Sequence, residues 1–269
     1  KMHEKQRHRA ILSAVQERPV ATVIDLCELT GVSEASIRRD IATLQVAKKL
    51  RRVRGGAEAI SPPQIVGLAG STFTVNKTRN IKQKQAIAHA AVDLCADGDS
   101  IIINGGTTTF QMVHPLATRR LQVFTNSFSI AEHLLNNSKN TITMPSGTIY
   151  REQNIVLSPF ENDGSQNHYA RRTFMGARGL GPLGLMEADP LLIQAEQKLI
   201  DRCDELVVLV DSSKFEARSS LVLCPLKRID VVITDDGISD QAAAMLERSE
   251  IKLIVVPVGR VELREGAAS

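Results

Sequence analysis

The sequence predicts a two-part α/β protein: a winged helix-turn-helix at the N-terminus, then a larger domain built on a mostly parallel sheet. Three observations predict it. The first sixty residues hold twelve Lys and Arg against seven Asp and Glu, a charge of +5, and contain a short helix, a glycine turn and a serine-capped helix in close succession. From residue 97 onward, Val- and Ile-rich runs alternate with amphipathic stretches, the rhythm of strands joined by crossover helices. The first of those runs ends in a glycine- and threonine-rich loop, at the edge where open α/β sheets meet their ligands.

Each element of the basic head follows from local chemistry. In the stretch 3–18, Ile11, Leu12 and Val15 share one side, and the helix is expected to end before Pro19. Thr22 followed by Asp25 makes a capping-box-like start with Asp in place of Glu, and Gly31 stops the short helix. Ser33 is the expected N-cap of a third helix, in which Ile37, Ile41 and Leu44 fall at i, i+4 and i+7. Such a pair presents its second helix to the major groove of DNA, N-terminus first. The residues off the apolar stripe, Ser33, Glu34, Ser36, Arg38, Arg39 and Thr43, are the candidate DNA contacts. Hydroxyls suit phosphates and base edges, and arginine suits guanine edges or phosphates. Asp40 is acidic and is expected to pair with a neighbouring arginine, away from DNA. The run from Lys48 to Ile60 reads as a two-stranded wing turning at Gly55 and Gly56, with Lys49, Arg51, Arg52 and Arg54 directed at the phosphate backbone or the minor groove.

The expected organisation is therefore a winged helix-turn-helix over 1–60, a linker rich in Pro, Gly and Ser over 61–78, a sensor domain over 79–258 and a tail over 259–269. In the larger domain, strands are expected at 100–104, 121–125, 141–144, 172–176, 205–211, 229–234 and 251–257. Helices are expected at 80–96, 108–117, 129–136, 191–204 and 240–249.

Candidate ligand groups cluster at the carboxyl ends of those strands. Asn104, Gly105, Gly106, Thr107, Thr108 and Thr109 form a loop in which glycine permits close backbone approach and the amides at a helix start favour an anion. It lacks the lysine-ended pattern of nucleoside-triphosphate loops and the three-glycine pattern of dinucleotide folds. Asn126 and Ser127 follow the second strand, and Gly147, Tyr150 and Arg151 follow the third. Lys214 follows the fifth, where a cation can pair with an anionic ligand.

Bulk properties set the limits. With 43% hydrophobic and 23% charged residues, the chain has the composition of a globular protein with a sizeable core. The longest apolar runs, 206–210 and 253–258, are strand-sized, so no membrane partner is expected and the cytoplasm is the expected compartment. The four cysteines show no paired spacing, which suits reduced thiols; the six histidines show no metal spacing, and neither a metal nor a cofactor is expected. Lys1 precedes Met2, which reads as the native start.

The segment Gly31–Leu44 (G-V-S-E-A-S-I-R-R-D-I-A-T-L), followed by R-R-V-R-G-G-A, resembles the N-terminal signature of the DeoR family of bacterial repressors, with Ser36 where that family usually carries Thr. The resemblance continues through N-G-G-T-T-T, T-N-S, the stretch from Gly147 to Arg151, A-E-Q-K at 195–198 and D-S-S-K-F at 211–215, covering residues 3–257. It implies a sensor domain similar to ribose-5-phosphate isomerase-like folds, places Glu196 among the effector-site residues, and implies control by a phosphorylated sugar or sugar acid. It further implies double-stranded operator DNA and a second copy of the chain, as homodimer or homotetramer, as partners. One departure matters: where many members carry an acidic residue before a glycine, this chain has Ala177, Arg178 and Gly179. If Arg178 faces the pocket, it favours a second anionic group on the ligand. A sugar-phosphate isomerase with a fused DNA-binding head is the enzymatic alternative, although no acid–base pair stands at a telling spacing. A purely architectural nucleic-acid binder would have no use for the glycine–threonine loop.

Overall fold

Apolar spacing in the N-terminal segment dictates three helices around one small core. The structure, a computed structural model, describes residues 2–17, 21–60 and 73–258 and divides the chain into two units, residues 1–71 and 72–269. The helix end expected at Pro19, linker residues 61–72 and the tail 259–269 lie outside the described residues.

Helix α1 (Glu4–Glu17) precedes a short strand β1 (Ala21–Thr22), then α2 (Val23–Thr30) and α3 (Glu34–Val46). The capping box is present: Thr22 accepts from the Asp25 amide and the Asp25 carboxylate accepts from the Thr22 amide. Gly31 closes α2 at φ 67°, a conformation that costs a residue with a Cβ. Ser33 holds the N-cap position of α3 with extended backbone but does not cap with its side chain; its hydroxyl lies 3.2 Å from that of Ser36. Ile11, Val15, Leu26, Ile37, Ile41, Leu44 and Leu50 fill the core. The wing has three strands where two were expected. β2 (Arg51–Val53) and β3 (Gly56–Glu58) form the hairpin, and β1 joins β3 antiparallel, Ala21 opposite Ala57. A two-residue strand leaves no periodicity to read.

Asp40, expected to pair with a neighbouring arginine, pairs with a distant one. Arg7 of α1 donates through Nη2 at 2.9 Å, and His8 Nε2 lies 3.1 Å from the same carboxylate. Burial pushes the Asp40 carboxyl up, but the hydrogen bonds from Arg7 and His8 outweigh it and hold the group below its ordinary range.

The second unit opens with α4 (Phe73–Asn76) and α5 (Ile81–Asp93), so part of the expected linker is helical. Then follow β4 (Ser100–Ile103), α6 (Val113–Leu116), β5 (Gln122–Thr125), α7 (Phe128–Asn137) and β6 (Thr141–Thr143). A hairpin of β7 (Thr148–Tyr150) and β8 (Ile155–Leu157) leads to β9 (Ala170–Met175), β10 (Gly179–Gly181), β11 (Gly184–Glu187) and α8 (Pro190–Ile200). The chain continues through β12 (Cys203–Leu209), β13 (Leu221–Cys224), β14 (Val231–Asp235), α9 (Asp240–Arg248) and β15 (Lys252–Val256).

Seven strands form one parallel sheet in the order β15-β14-β12-β9-β4-β5-β6, and they are the seven expected from the sequence. Alternation along each strand supplies two faces. Ile101, Ile103, Val207 and Leu209 pack with Ile87 and Ala91 of α5, whereas Leu206, Val208 and Val232 pack with Ile200 and Leu246 on the other side. A second, antiparallel sheet β10-β11-β13 and the β7–β8 hairpin were not anticipated. Two helices differ from expectation. The helix 191–204 ends at Ile200, because Cys203 already belongs to β12; the helix 108–117 is a 3₁₀ turn at Thr109–Met112 running into α6.

The head should unfold through its own core. Ile37→Ala is expected to cost about 2–5 kcal/mol, read as a lowered denaturant midpoint for the helix-turn-helix signals with those of the sheet domain unchanged. Acidification should also act on the head: the Asp40 contribution is complete above its unfolded value near pH 4 and is lost as pH falls through the depressed folded value, a loss that Asp40→Asn removes.

Candidate nucleic-acid interface and effector crevice

The apolar stripe of α3 turns inward and leaves its polar side outward. Ser33, Glu34, Arg38, Arg39 and Thr43 are exposed and Ser36 is half-buried. Glu34 and Arg38 pair along the helix at 2.9 Å, with both side chains more than half exposed, so the pair is weakly held and the arginine can exchange its partner. Arg39 makes one long bond to the Ala35 carbonyl, 3.4 Å, and Thr43 donates to the Arg39 carbonyl. On the wing, Lys49, Arg51, Arg52 and Arg54 are all exposed; Arg51 pairs with Glu58 across the hairpin. Between α3 and the wing lies a concavity of about 610 Å³ bordered by Arg38, Gln45, Arg52 and Arg54. Four donor side chains around one groove, with no acidic residue on its wall, can engage a phosphate backbone.

In the sheet domain the strand order itself makes the second site. From β4 the chain moves outward through β5 to β6, then returns to β9 on the opposite side of β4 and proceeds to β12, β14 and β15. The crossovers therefore diverge at the carboxyl ends of β4 and β9, the place where open α/β sheets form a ligand crevice. Asn104 follows β4, Arg178 follows β9, and Asp211 and Lys214 follow β12.

Asn104 is 1% exposed; its Nδ2 donates to Glu196 Oε1 at 2.8 Å while its Oδ1 has no partner. Asn126 accepts from the Gly105 amide at 2.8 Å and leaves its own buried Nδ2 unpartnered. A Cβ on Gly105 would lie 2.3 Å from Ile155 Cγ2, so the close passage of this loop under β8 requires glycine. Thr107 is half-buried and Thr108 is buried. Thr109 is corrected as a ligand donor: its hydroxyl donates to the Asn104 carbonyl at 2.7 Å and shapes the loop from within. The helix-end field is also smaller than expected, since the loop opens into a single 3₁₀ turn. Ser127 caps α7, accepting from the Ile130 amide.

Glu196 lies on α8, 4% exposed. Burial, together with the charges of Glu187 and Asp189, raises its pKa well above the ordinary carboxylate range, against the Asn104 hydrogen bond. Burial raises Glu187 too, opposed by the Ala188 amide, Arg178 and Lys214. Burial lowers Lys214, as do the charges of Arg178 and Arg79, against Asp211 and Glu187. The Arg178 amide donates to the Met186 carbonyl at 3.1 Å, beside Glu187, and Asn104 meets Glu196 by its hydrogen bond; the charges of Arg178 and Glu187 also act on Lys214. Tyr150 joins them through its hydroxyl, which donates to Asp189 at 3.1 Å. Gly147 and Arg151 are exposed on the β7–β8 hairpin, and nothing ties them to the cluster.

Sequence reasoning missed Lys84, Arg79, Glu187, Asp189 and the part played by Asp211. Lys84 had a signal: it sits on the same face of α5 as Ile87, Ala88, Ala91 and Val92, a cation within an apolar stripe. Among the described residues, no helix is long and apolar enough to cross a membrane, and no group of three His, Cys, Asp or Glu could hold a metal ion.

A basic helix-turn-helix and wing joined to a sheet domain with a polar crevice define a ligand-responsive transcriptional regulator. Residues 7–63 match the DeoR-like helix-turn-helix domain, and residues 79–236 match the DeoR C-terminal sensor domain. The chain belongs to the DeoR family. The HTH-type transcriptional regulator UlaR of Shigella dysenteriae serotype 1 is 33% identical over 257 residues, 95% of this chain and all of the relative, and UlaR of Escherichia coli O1:K1 matches at the same identity and coverage. Ribose 5-phosphate isomerase A from Methanocaldococcus jannaschii superimposes with a TM-score of 0.38 at 19% identity, covering 51% of this chain and 55% of that one, a likeness too slight to carry an argument. The chain is thus a regulator of transcription, and the isomerase alternative is not favoured.

Because folding favours the protonated form of Glu196, the stability it contributes is complete below the unfolded value of about 4.5 and is lost as pH rises above it toward the folded value. Glu196→Gln is expected to flatten the fall of the thermal midpoint as pH rises above about 4.5. An unchanged slope would place the titration elsewhere.

Proposed function

We propose that the chain represses a carbohydrate-utilisation operon, binding double-stranded operator DNA through α3 and the wing, and that a phosphorylated sugar or sugar acid in the crevice releases it. The reading rests above all on the crevice between β4 and β9. Two buried side-chain amides there lack partners, one an acceptor and one a donor, and Arg178 and Lys214 stand nearby. Unpartnered buried polar atoms are costly and call for a ligand that completes them. A protonated Glu196 can donate as well as accept, which suits a hydroxyl-rich molecule. The amides from Gly106 to Thr108 and the two cations suit its phosphate. The segments 53–60, 155–159 and 195–200 resemble the repressor of L-ascorbate utilisation, so a sugar acid is the favoured subclass. A homodimer or homotetramer acting in the cytoplasm would set two heads on half-sites one helical turn or a multiple apart.

Control requires that the ligand bind the DNA-competent and the released states with different affinity. The test is operator affinity measured with and without a panel of pentose, hexose and sugar-acid phosphates. At least one should weaken operator binding, and no response to any of them would defeat the proposal. Arg39→Ala is expected to weaken operator binding by about 1–3 kcal/mol if the side chain reads a base. Arg52→Ala should weaken all sequences alike and lower the salt slope by about one. Thr108→Ala with Lys214→Ala should keep operator binding and lose the ligand response; the opposite outcome would mean that the roles of the two units are exchanged.

A further inference from the structure

We infer that Lys84 is a ligand-contacting residue of the crevice and that it relays occupancy to α4, the first described helix after the segment joining the two units. The inference rests on the effector reading above and extends it. Lys84 is 3% exposed, and its Nζ donates to the Asn76 carbonyl, the last residue of α4, at 2.6 Å. An ammonium carries three donors, so this bond leaves others unused. Among the described residues Lys84 forms no ion pair; the carboxylate that favours its charge is Asp211, which also accepts from Asn80 Nδ2 at 3.0 Å and from Ser213.

The other charged groups facing Lys84 are Lys214 from the loop after β12 and Arg79 from the turn before α5, and both oppose its charge. Lys84 is buried and Lys214 half-buried on either side of one carboxylate, the Lys214 amide donating to the Asp211 carbonyl at 2.9 Å, while Arg79 is exposed at the edge. A buried ammonium without a close counterion is unfavourable, and an anion delivered by a ligand removes the deficit. Burial and the like charges lower the Lys84 pKa to about 8, so the group remains mostly protonated at neutral pH but with little margin. Lys214, whose place in the crevice was argued separately, is the neighbour that ties this cluster to the ligand. An anion held by Lys84 keeps it charged and fixed, and the remaining donor then holds the Asn76 carbonyl. Helix α4 is only four residues long; its closing bond, Lys77 amide to Phe73 carbonyl, depends on its C-terminal end staying in place. Ligand occupancy therefore orders the start of the sensor domain.

The test uses the full chain with inorganic phosphate and, in parallel, the sugar-phosphate panel, reading thermal midpoint and hydrogen exchange of the 73–77 segment. In the unaltered protein, phosphate should raise the midpoint and slow exchange at the Lys77 amide. Lys84→Met should bind phosphate about tenfold more weakly and show no slowing, while Lys84→Arg keeps the binding. If Lys84→Met responds normally and Thr108→Ala with Lys214→Ala does not, the crevice reading stands and this inference falls. If the unaltered protein responds to none of the probes, the crevice reading itself falls. Should Lys84→Met fail to fold, the pH profile decides. Phosphate affinity should drop above pH 8 in the unaltered protein and hold in Lys84→Arg; a drop that persists in Lys84→Arg assigns the titration to Lys214 and overturns the inference.

Discussion

Everything in the sensor domain depends on the reversal of strand order beside β4. Two crossovers that leave a parallel sheet in opposite directions cannot both cover the carboxyl ends of the strands between them. The gap between β4 and β9 is therefore fixed by topology before any polar side chain is placed in it. What fills the gap is a set of buried groups that the protein does not satisfy alone: the free amide atoms of Asn104 and Asn126, a raised carboxyl at Glu196, and cations lowered by burial and by one another. In a region of low dielectric such groups are costly, and a ligand that completed them would regain that cost as binding affinity.

The head solves a different problem with similar chemistry. Among the described residues of the head, the buried carboxylate is Asp40, which is engaged by Arg7 and His8 and ties α1 to α3. The arginines on the outer side of α3 and on the wing are exposed, Arg38 in a surface pair with Glu34 and Arg51 paired with the half-buried Glu58. Acid inside and base outside gives a rigid frame with an electropositive face, the division of labour a DNA reader requires.

Much of this was legible in the residue pattern. Buried parallel strands are near-continuous apolar runs, so six of the seven strands of the main sheet show in their Val and Ile content, while 172–176, R-T-F-M-G, carries neither. The capping box at Thr22, the glycine stop at Gly31 and the stripe Ile37, Ile41, Leu44 carried the head. Three-residue strands such as Gly179–Gly181, with glycines at both ends, leave no alternation to detect, and the antiparallel sheet was missed for that reason. The helix 191–204 was overextended because the polar stretch 201–205 between Ile200 and Leu206 carries no Gly or Pro to mark the helix end. At the candidate site the sequence pointed to polar residues on loops, but it could not show that the Thr109 hydroxyl is engaged by its own backbone, since such a hydroxyl looks the same in sequence as one facing a ligand. Lys84, on α5, is far in the sequence from Glu187 at the end of β11 and Asp189 at the N-cap of α8, so no local pattern links it to them.

The central claim is that the crevice between β4 and β9 grips the phosphate of the effector. It is tested most directly by determining the structure of the full chain with a sugar phosphate that alters operator binding. The account predicts the phosphate against the amides of Gly106, Thr107 and Thr108, with Lys214 and Arg178 in contact and the free Asn104 and Asn126 atoms bonded to the sugar. Density for the ligand elsewhere, such as the cavity beside Lys77, Phe110 and His133, with the β4–β9 crevice unchanged, would contradict it.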